Sequence, residues 1–267
     1  MSAANPIPDY PITQDQIDEY RRNGYIQLDA VITGPVLEEM RRVVEDAVAR
    51  ETAEAAKNPN AGTRVPSTYE KIFNQKVNLW TKYPDVAKFA LSTALGRIAM
   101  QLEGRRMRIW HDQALFKEPQ KGNNKTPWHQ DAVYWPHIDK WRQTTIWIAL
   151  RDATTENGCM AFVDGTHSLG AMPPIDLGDP QDLFSKAPHI RPVKPVARPL
   201  KAGSVTFHNG LTFHYAGPNK SDATREAFAV IYMPDDTRYD GNIHLVTDGQ
   251  NFQPGDVLDG DLFPLVS

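Results

Sequence analysis

The sequence predicts an α+β protein with a mainly β core, on three observations. Apolar residues recur at helical spacing ahead of residue 104, short strand-like segments between turn residues follow, and a proline-rich stretch interrupts them. Thr13 and Gln16 have the spacing of a capping box, so a short helix starts there and stops near Asn23-Gly24. A strand over Tyr25 to Asp29 follows. From Pro35, the residues Val36, Leu37, Met40, Val43, Val44, Ala47 and Val48 recur at intervals of three and four, which predicts an amphipathic helix packed on a sheet. Lys57 to Pro66 reads as loop, and Tyr83 to Leu102 as one or two further helices with Asp85 near the start.

Beyond residue 104 the period shortens. Arg108 to Lys117, Thr144 to Ala149, Ser204 to His208 and Glu226 to Met233 read as strands of a sandwich or barrel. Seven prolines between Met172 and Pro199 exclude a regular central strand there and predict a long loop. No repeat or composition break marks a linker. The expected organisation is therefore a single domain over 1–267, mainly helical over 1–103 and β over 104–267, with the proline-rich loop at 172–199.

Composition narrows the function. Of 267 residues, 40% are apolar and 23% charged, enough for a substantial core. The net charge of −4, without a long basic run, argues against a dedicated nucleic-acid or polybasic membrane surface, and the apolar runs are too short to cross a bilayer. Cys159 is the single cysteine, which excludes an internal disulfide and a thiolate zinc cluster and suits a reducing compartment. The first residues lack the pattern of a secretory signal, so a cytoplasmic protein acting on a small molecule is expected, with oligomeric state open.

Thr126-Pro127-Trp128-His129-Gln130-Asp131 sets an imidazole and a carboxylate two residues apart, and on a strand such residues face one side. A second H-x-D phrase, His137-Ile138-Asp139, competes with it. His214, at a predicted β edge before the turn Gly217-Pro218-Asn219, supplies a third donor from another strand. Two histidines and one carboxylate leave open positions on a metal, the arrangement of non-haem Fe(II) oxygenases. Eleven residues on, Arg225 heads a strand whose inward companions are Ala227, Ala229 and Ile231. A guanidinium inside an apolar barrel demands an anion, most naturally a carboxylate.

At this point the chain resembles the phytanoyl-CoA dioxygenase family of Fe(II)- and 2-oxoglutarate-dependent oxygenases. The phrases are ITQDQIDEYRRNGYIQLDAV, FKEP with TPWHQDAVYWP, TTIWIALRDATTENGCMAFVDGTHSLG and GSVTFHNGLTFHYAGPNKSDATREAFAVIYMP, in that order over almost the whole chain. The resemblance implies a double-stranded β-helix, a cupin-like jelly roll, flanked by N-terminal helices. It implies His129, Asp131 and His214 as ligands of Fe(II), and Arg225 as partner of the far carboxylate of the cosubstrate 2-oxoglutarate, with O2 as the other cosubstrate. Trp147, Gln113 and Lys71 are implied around 2-oxoglutarate.

Two positions depart from the family pattern. Ala216 stands where some relatives carry a serine hydroxyl toward the cosubstrate, and Val163 to His167 replaces the usual P-G-S-H phrase. Asp131, in place of glycine or alanine, disfavours halogenation. Among the remaining side chains, His167 reads as a turn residue and His208 as the runner-up ligand, more simply core packing or a hydrogen bond to a ligand. His111, His189 and His244 read as surface or core, Lys117 as a solvated amine, and Trp135 and Tyr134 as candidate pocket walls. The expected reaction is hydroxylation of an unactivated C–H bond, releasing succinate and CO2. Alternatives are desaturation, epimerisation or cyclisation at the same site, a zinc hydrolase that leaves Arg225 unexplained, and a non-enzymatic jelly-roll binding protein for metal or metabolite.

Overall fold

A capping box opens the first helix, α1 (Gln14–Asn23), where the spacing predicts it. The Thr13 hydroxyl accepts from the Gln16 backbone N–H, and the Gln16 side chain accepts from the Thr13 N–H at 2.8 Å. Gly24 ends the helix with φ of 81°, and a Cβ there would lie 2.4 Å from His167 Nδ1, so the turn needs glycine on both counts. In the structure, a computed structural model, the described residues are 5–57, 74–119, 125–174, 188 and 194–266.

Strand β1 (Tyr25–Leu28) and helix α2 (Gly34–Lys57) follow as expected, α2 burying Leu37, Met40, Val43, Val44, Ala47 and Val48. The rest of the predicted loop after Lys57 lies outside the described residues. Three helices occupy the next helical region: α3 (Leu79–Lys82), α4 (Pro84–Ala90) and α5 (Thr93–Glu103). Pro84 forces the break between the first two, because its ring holds Tyr83 in an extended conformation and it has no N–H to continue the ladder. Ser92 makes the second break by accepting from the Leu95 N–H.

The β part comprises β2 (Asn74–Val77), β3 (Met107–Lys117), β4 (Thr126–His129), β5 (Thr144–Ala149), β6 (Met160–Phe162), β7 (Val196–Arg198), β8 (Val205–Asn209), β9 (His214–Ala216) and β10 (Arg225–Pro234). Strand β7 corrects the reading of 172–199 as loop throughout. It sits between Pro195 and Pro199 at the edge of its sheet, where flanking prolines interrupt no central ladder. Residues 175–187 and 189–193 of that stretch lie outside the described residues.

The strands form two antiparallel sheets, one ordered β1-β8-β5-β10-β3-β2 and one ordered β4-β9-β6-β7. This is the expected jelly roll. Helices α1, α2, α4 and α5 cover the outer face of the six-stranded sheet, where Ile146, Ile148, Phe207, Phe228, Val230 and Tyr232 meet them. The inner face carries Trp147, Ala149, Ala227 and Ala229, which pack against Met160, Phe162 and Ala216 of the smaller sheet. The alternation along β10 thus puts bulk toward the helices and alanines inward, and the small inward residues leave room for a site.

Candidate active site

Strands β4 and β9 pair so that His129 lies directly opposite His214, with ring centroids 4.2 Å apart. Asp131 is not on the strand. It sits two residues past the end of β4, after Gln130, at the start of a short 3-10 turn, and the turn swings its carboxylate back toward both imidazoles. Asp131 Oδ1 is 3.3 Å from His129 Nε2 and 3.4 Å from His214 Nε2. Bonds of about 2.1 Å at right angles put neighbouring donors on a metal about 3 Å apart, so these separations suit three ligands on one face of a divalent ion. Among the described residues, these three side chains are the group whose donor atoms lie within 4.8 Å of one another.

The surrounding backbone fixes both rings. His129 Nδ1 meets the Pro127 carbonyl at 2.8 Å and His214 Nδ1 meets the Thr212 carbonyl at 3.0 Å. Donation from each Nδ1–H to a carbonyl selects the tautomer whose Nε2 lone pair faces the cluster. Burial, and then His214, push the His129 imidazolium down, which favours the neutral ligand form. Burial by itself raises the Asp131 carboxyl, but His214, His129 and His208 outweigh it and hold the group well below the usual range. A carboxylate between two imidazoles is the donor set that a ferrous ion takes.

Arg225 begins β10 and is buried, 1% exposed, with its guanidinium 5.0 Å over the Trp147 ring. Both residues line one cavity together with His129, Asp131 and His214. Gln113 lines it too, its Oε1 accepting from Gln75 Nε2 at 2.6 Å. A planar, permanently charged fork and a cluster of metal-type donors in one cavity suit a small dicarboxylate. Ala216 also lines the cavity, in keeping with the missing hydroxyl. Lys71 lies outside the described residues.

His208 takes the simpler of its two readings, a hydrogen bond to a candidate ligand: its Nε2 is 3.2 Å from Asp131 Oδ2, and it stands outside the group of three donors. Other expectations change on this geometry. Lys117 is no solvated amine. It is buried beside Arg225, donates to the Gly217 and Ala216 carbonyls at 2.7 and 3.3 Å, and is pushed down to about 6 by burial, then by Arg225. Trp135 packs in a separate cluster with Trp110, Ile231 and Phe263 instead of lining the cavity, and Tyr134 does not line it either. His137, of the competing H-x-D phrase, is buried edge-on against Trp110 at 4.5 Å, with Asp139 turned to the Trp141 N–H. His167 is the expected turn residue, its Nε2 at 3.1 Å from the Arg21 carbonyl; His189 lies outside the described residues. Thr126, Thr145 and Met160 also line the cavity without having been singled out, although Thr145 shares the strand face of Trp147 two residues away.

Fold and site together define a jelly-roll protein with a two-histidine, one-carboxylate centre beside an enclosed arginine. The chain belongs to the phytanoyl-CoA dioxygenase (PhyH) family, whose profile matches residues 20–227. It is 32% identical over 124 residues to phytanoyl-CoA dioxygenase domain-containing protein 1 of Mus musculus, a match covering 45% of this chain and 42% of that protein, so the chain spans under half the length of this curated relative. Among solved structures it resembles the non-haem alpha-ketoglutarate-dependent carbocyclase SnoK from nogalamycin biosynthesis, with a TM-score of 0.79, 29% identity, and 96% of this chain and 97% of that one covered. It also resembles the epimerase SnoN in complex with Fe3+, alpha-ketoglutarate and nogalamycin RO, with a TM-score of 0.74, 26% identity, and 95% and 98% covered.

Proposed function

We propose that the chain, read as one oxygenase domain over 1–267, is an Fe(II)- and 2-oxoglutarate-dependent dioxygenase of a small-molecule metabolite. In this reading His129, Asp131 and His214 hold the iron and Arg225 pairs with the far carboxylate of 2-oxoglutarate. Three donors from two separated β segments meet at one point of a cavity that also contains a buried guanidinium. That single observation carries the proposal, because neither a structural ion pair nor a hydrolytic zinc site calls for both features.

When bound, iron with 2-oxoglutarate and dioxygen supplies the oxidant for a substrate C–H bond: one oxygen atom enters the substrate as hydroxyl and the other enters succinate, with CO2 leaving. The protein's part is positioning. Arg225 fixes one end of the dicarboxylate, Trp147 supports the guanidinium face, and Gln113, Thr126 and Met160 bound the space between arginine and iron ligands. Lys117, hydrogen-bonded to the carbonyls that follow His214, steadies the β9 turn. The apolar wall of Leu115, Ala216 and Ala229 keeps the ion pair of Arg225 with its ligand out of water.

Hydroxylation is the leading outcome. Ring closure or epimerisation at the same centre is the second reading, favoured by the likeness to SnoK and SnoN. The acidic charge balance and lone cysteine support a cytoplasmic setting and a small-molecule partner rather than nucleic acid. The test is oxygen-dependent formation of succinate from 2-oxoglutarate by the Fe(II)-loaded protein across a metabolite panel. Stimulation by one class of substrate, lost in Asp131→Ala, is the expected result. Binding of metal and 2-oxoglutarate without turnover under any condition overturns it in favour of a binding protein.

A further inference from the structure

The iron ligands all come from the smaller sheet and the turn after it, yet the carboxylate among them is gripped from the opposite side. Asp131 Oδ1 faces the two ligand imidazoles, while Oδ2 lies 3.2 Å from His208 Nε2 and accepts from Thr145 Oγ1 at 3.3 Å. Thr145 and His208 are direct partners in the β5–β8 register, so one rung of the six-stranded sheet reaches across the barrel to this one oxygen. We propose that His208, assisted by Thr145, is a positioning residue that holds Asp131 as a one-oxygen ligand and keeps a coordination position open for cosubstrate. This rests on the iron reading above and specifies how its carboxylate is used.

The chemistry of the partners assigns the protons. An ionised carboxylate only accepts, so Nε2 of His208 carries the hydrogen. Its Nδ1 is buried and has no hydrogen-bond partner among the described residues, which leaves Asp131 as the polar group the His208 side chain serves there. A histidine present only for bulk would not leave a buried nitrogen without a partner while aiming the other at a carboxylate, since each such orphan is unfavourable. Phe162 and His214 flank the ring at centroid distances of 5.4 and 4.6 Å and prevent it from swinging away. With Oδ2 engaged by two donors from the other sheet, a two-oxygen grip on the metal would break both bonds.

The proposal is tested on the full chain with His208→Phe, His208→Gln and Thr145→Val. Anaerobic Fe(II) affinity is measured by competition with a chromogenic chelator. The visible charge-transfer band on adding 2-oxoglutarate, and the melting temperature of the metal-free protein, are read alongside. His208→Phe keeps a ring beside Phe162 but has no donor, and is expected to bind Fe(II) about 10- to 100-fold more weakly with a displaced or weakened band. His208→Gln, which restores an N–H, is expected to recover most of both, and Thr145→Val to lose affinity by a smaller factor, with metal-free melting close to the parent in both. Fe(II) affinity within about twofold of the parent and an unchanged band in His208→Phe would overturn the assignment. If that variant does not fold, an unaltered affinity and band in Thr145→Val overturns it instead. A parent protein that takes up no Fe(II) removes the iron reading itself, a result distinct from either.

Discussion

Arg225 places a permanent cation where water does not reach, 1% exposed and face-on to Trp147. On the proposed reading it pairs with the far carboxylate of 2-oxoglutarate, so Arg225→Met is expected to weaken 2-oxoglutarate binding about 100-fold, or about 3 kcal/mol, while Fe(II) affinity stays within a few-fold. Calorimetric titration of both ligands separates the two; equal losses would place Arg225 in folding rather than in cosubstrate binding. Near the middle of β3, His111 is pushed down to about 3, and His244, beyond β10, to about 4, both chiefly by burial, with His244 also acting on His111. The unfolded chain therefore binds protons near pH 6.5 that the native state refuses. The contribution of the buried His111 is expected to fall as pH drops below 6.5, by about 2 kcal/mol by pH 5, and to be flat above. Urea midpoints across pH, compared with those of His111→Phe, show whether the slope belongs to this residue.

At the scale of elements, the strands that were legible in the sequence are those with an unbroken inside–outside reason. Strand β10 reads cleanly because Phe228, Val230 and Tyr232 face helices while Arg225, Ala227 and Ala229 face the cavity. His129, Asp131 and His214 were legible through their spacing and the turn that follows them, even though Asp131 lies beyond the strand that was expected to carry it. Strands β6 and β7 were not, since three residues carry no period; β6 takes its place by pairing with β9, and β7 by pairing with β6. Lys117 was misread because nothing local distinguishes a lysine folded inward against carbonyls from a solvated one. His208, read as core packing or a hydrogen bond to a ligand, makes that bond to Asp131, 77 residues away, a partner that nothing local in the sequence names. The turn after β9 depends on Gly158, whose φ is 87° and whose missing Cβ would sit 2.3 Å from the Gly217 carbonyl oxygen. Gly158→Ala is expected to destabilise by about 1 to 3 kcal/mol and to lower 2-oxoglutarate affinity with it. A thermal midpoint equal to the parent's would show that the β9 turn moves aside freely.

Across the whole molecule, the helices and the six-stranded sheet share one core, so the sheet's inner face is held by packing far from the chemistry. No helix among the described residues is long and apolar enough to cross a membrane. Because the proposed ligands bridge the two sheets, loading with Fe(II) and 2-oxoglutarate together, each at 100 times its dissociation constant, is expected to add about 5 kcal/mol, raising the melting temperature by about 10 °C. Fe(II)-loaded crystals grown without oxygen and measured at the iron absorption edge locate the metal itself. One anomalous peak bounded by His129 Nε2, Asp131 Oδ1 and His214 Nε2 is the expected result. Density for iron elsewhere, or none between these three atoms at full loading, would contradict it.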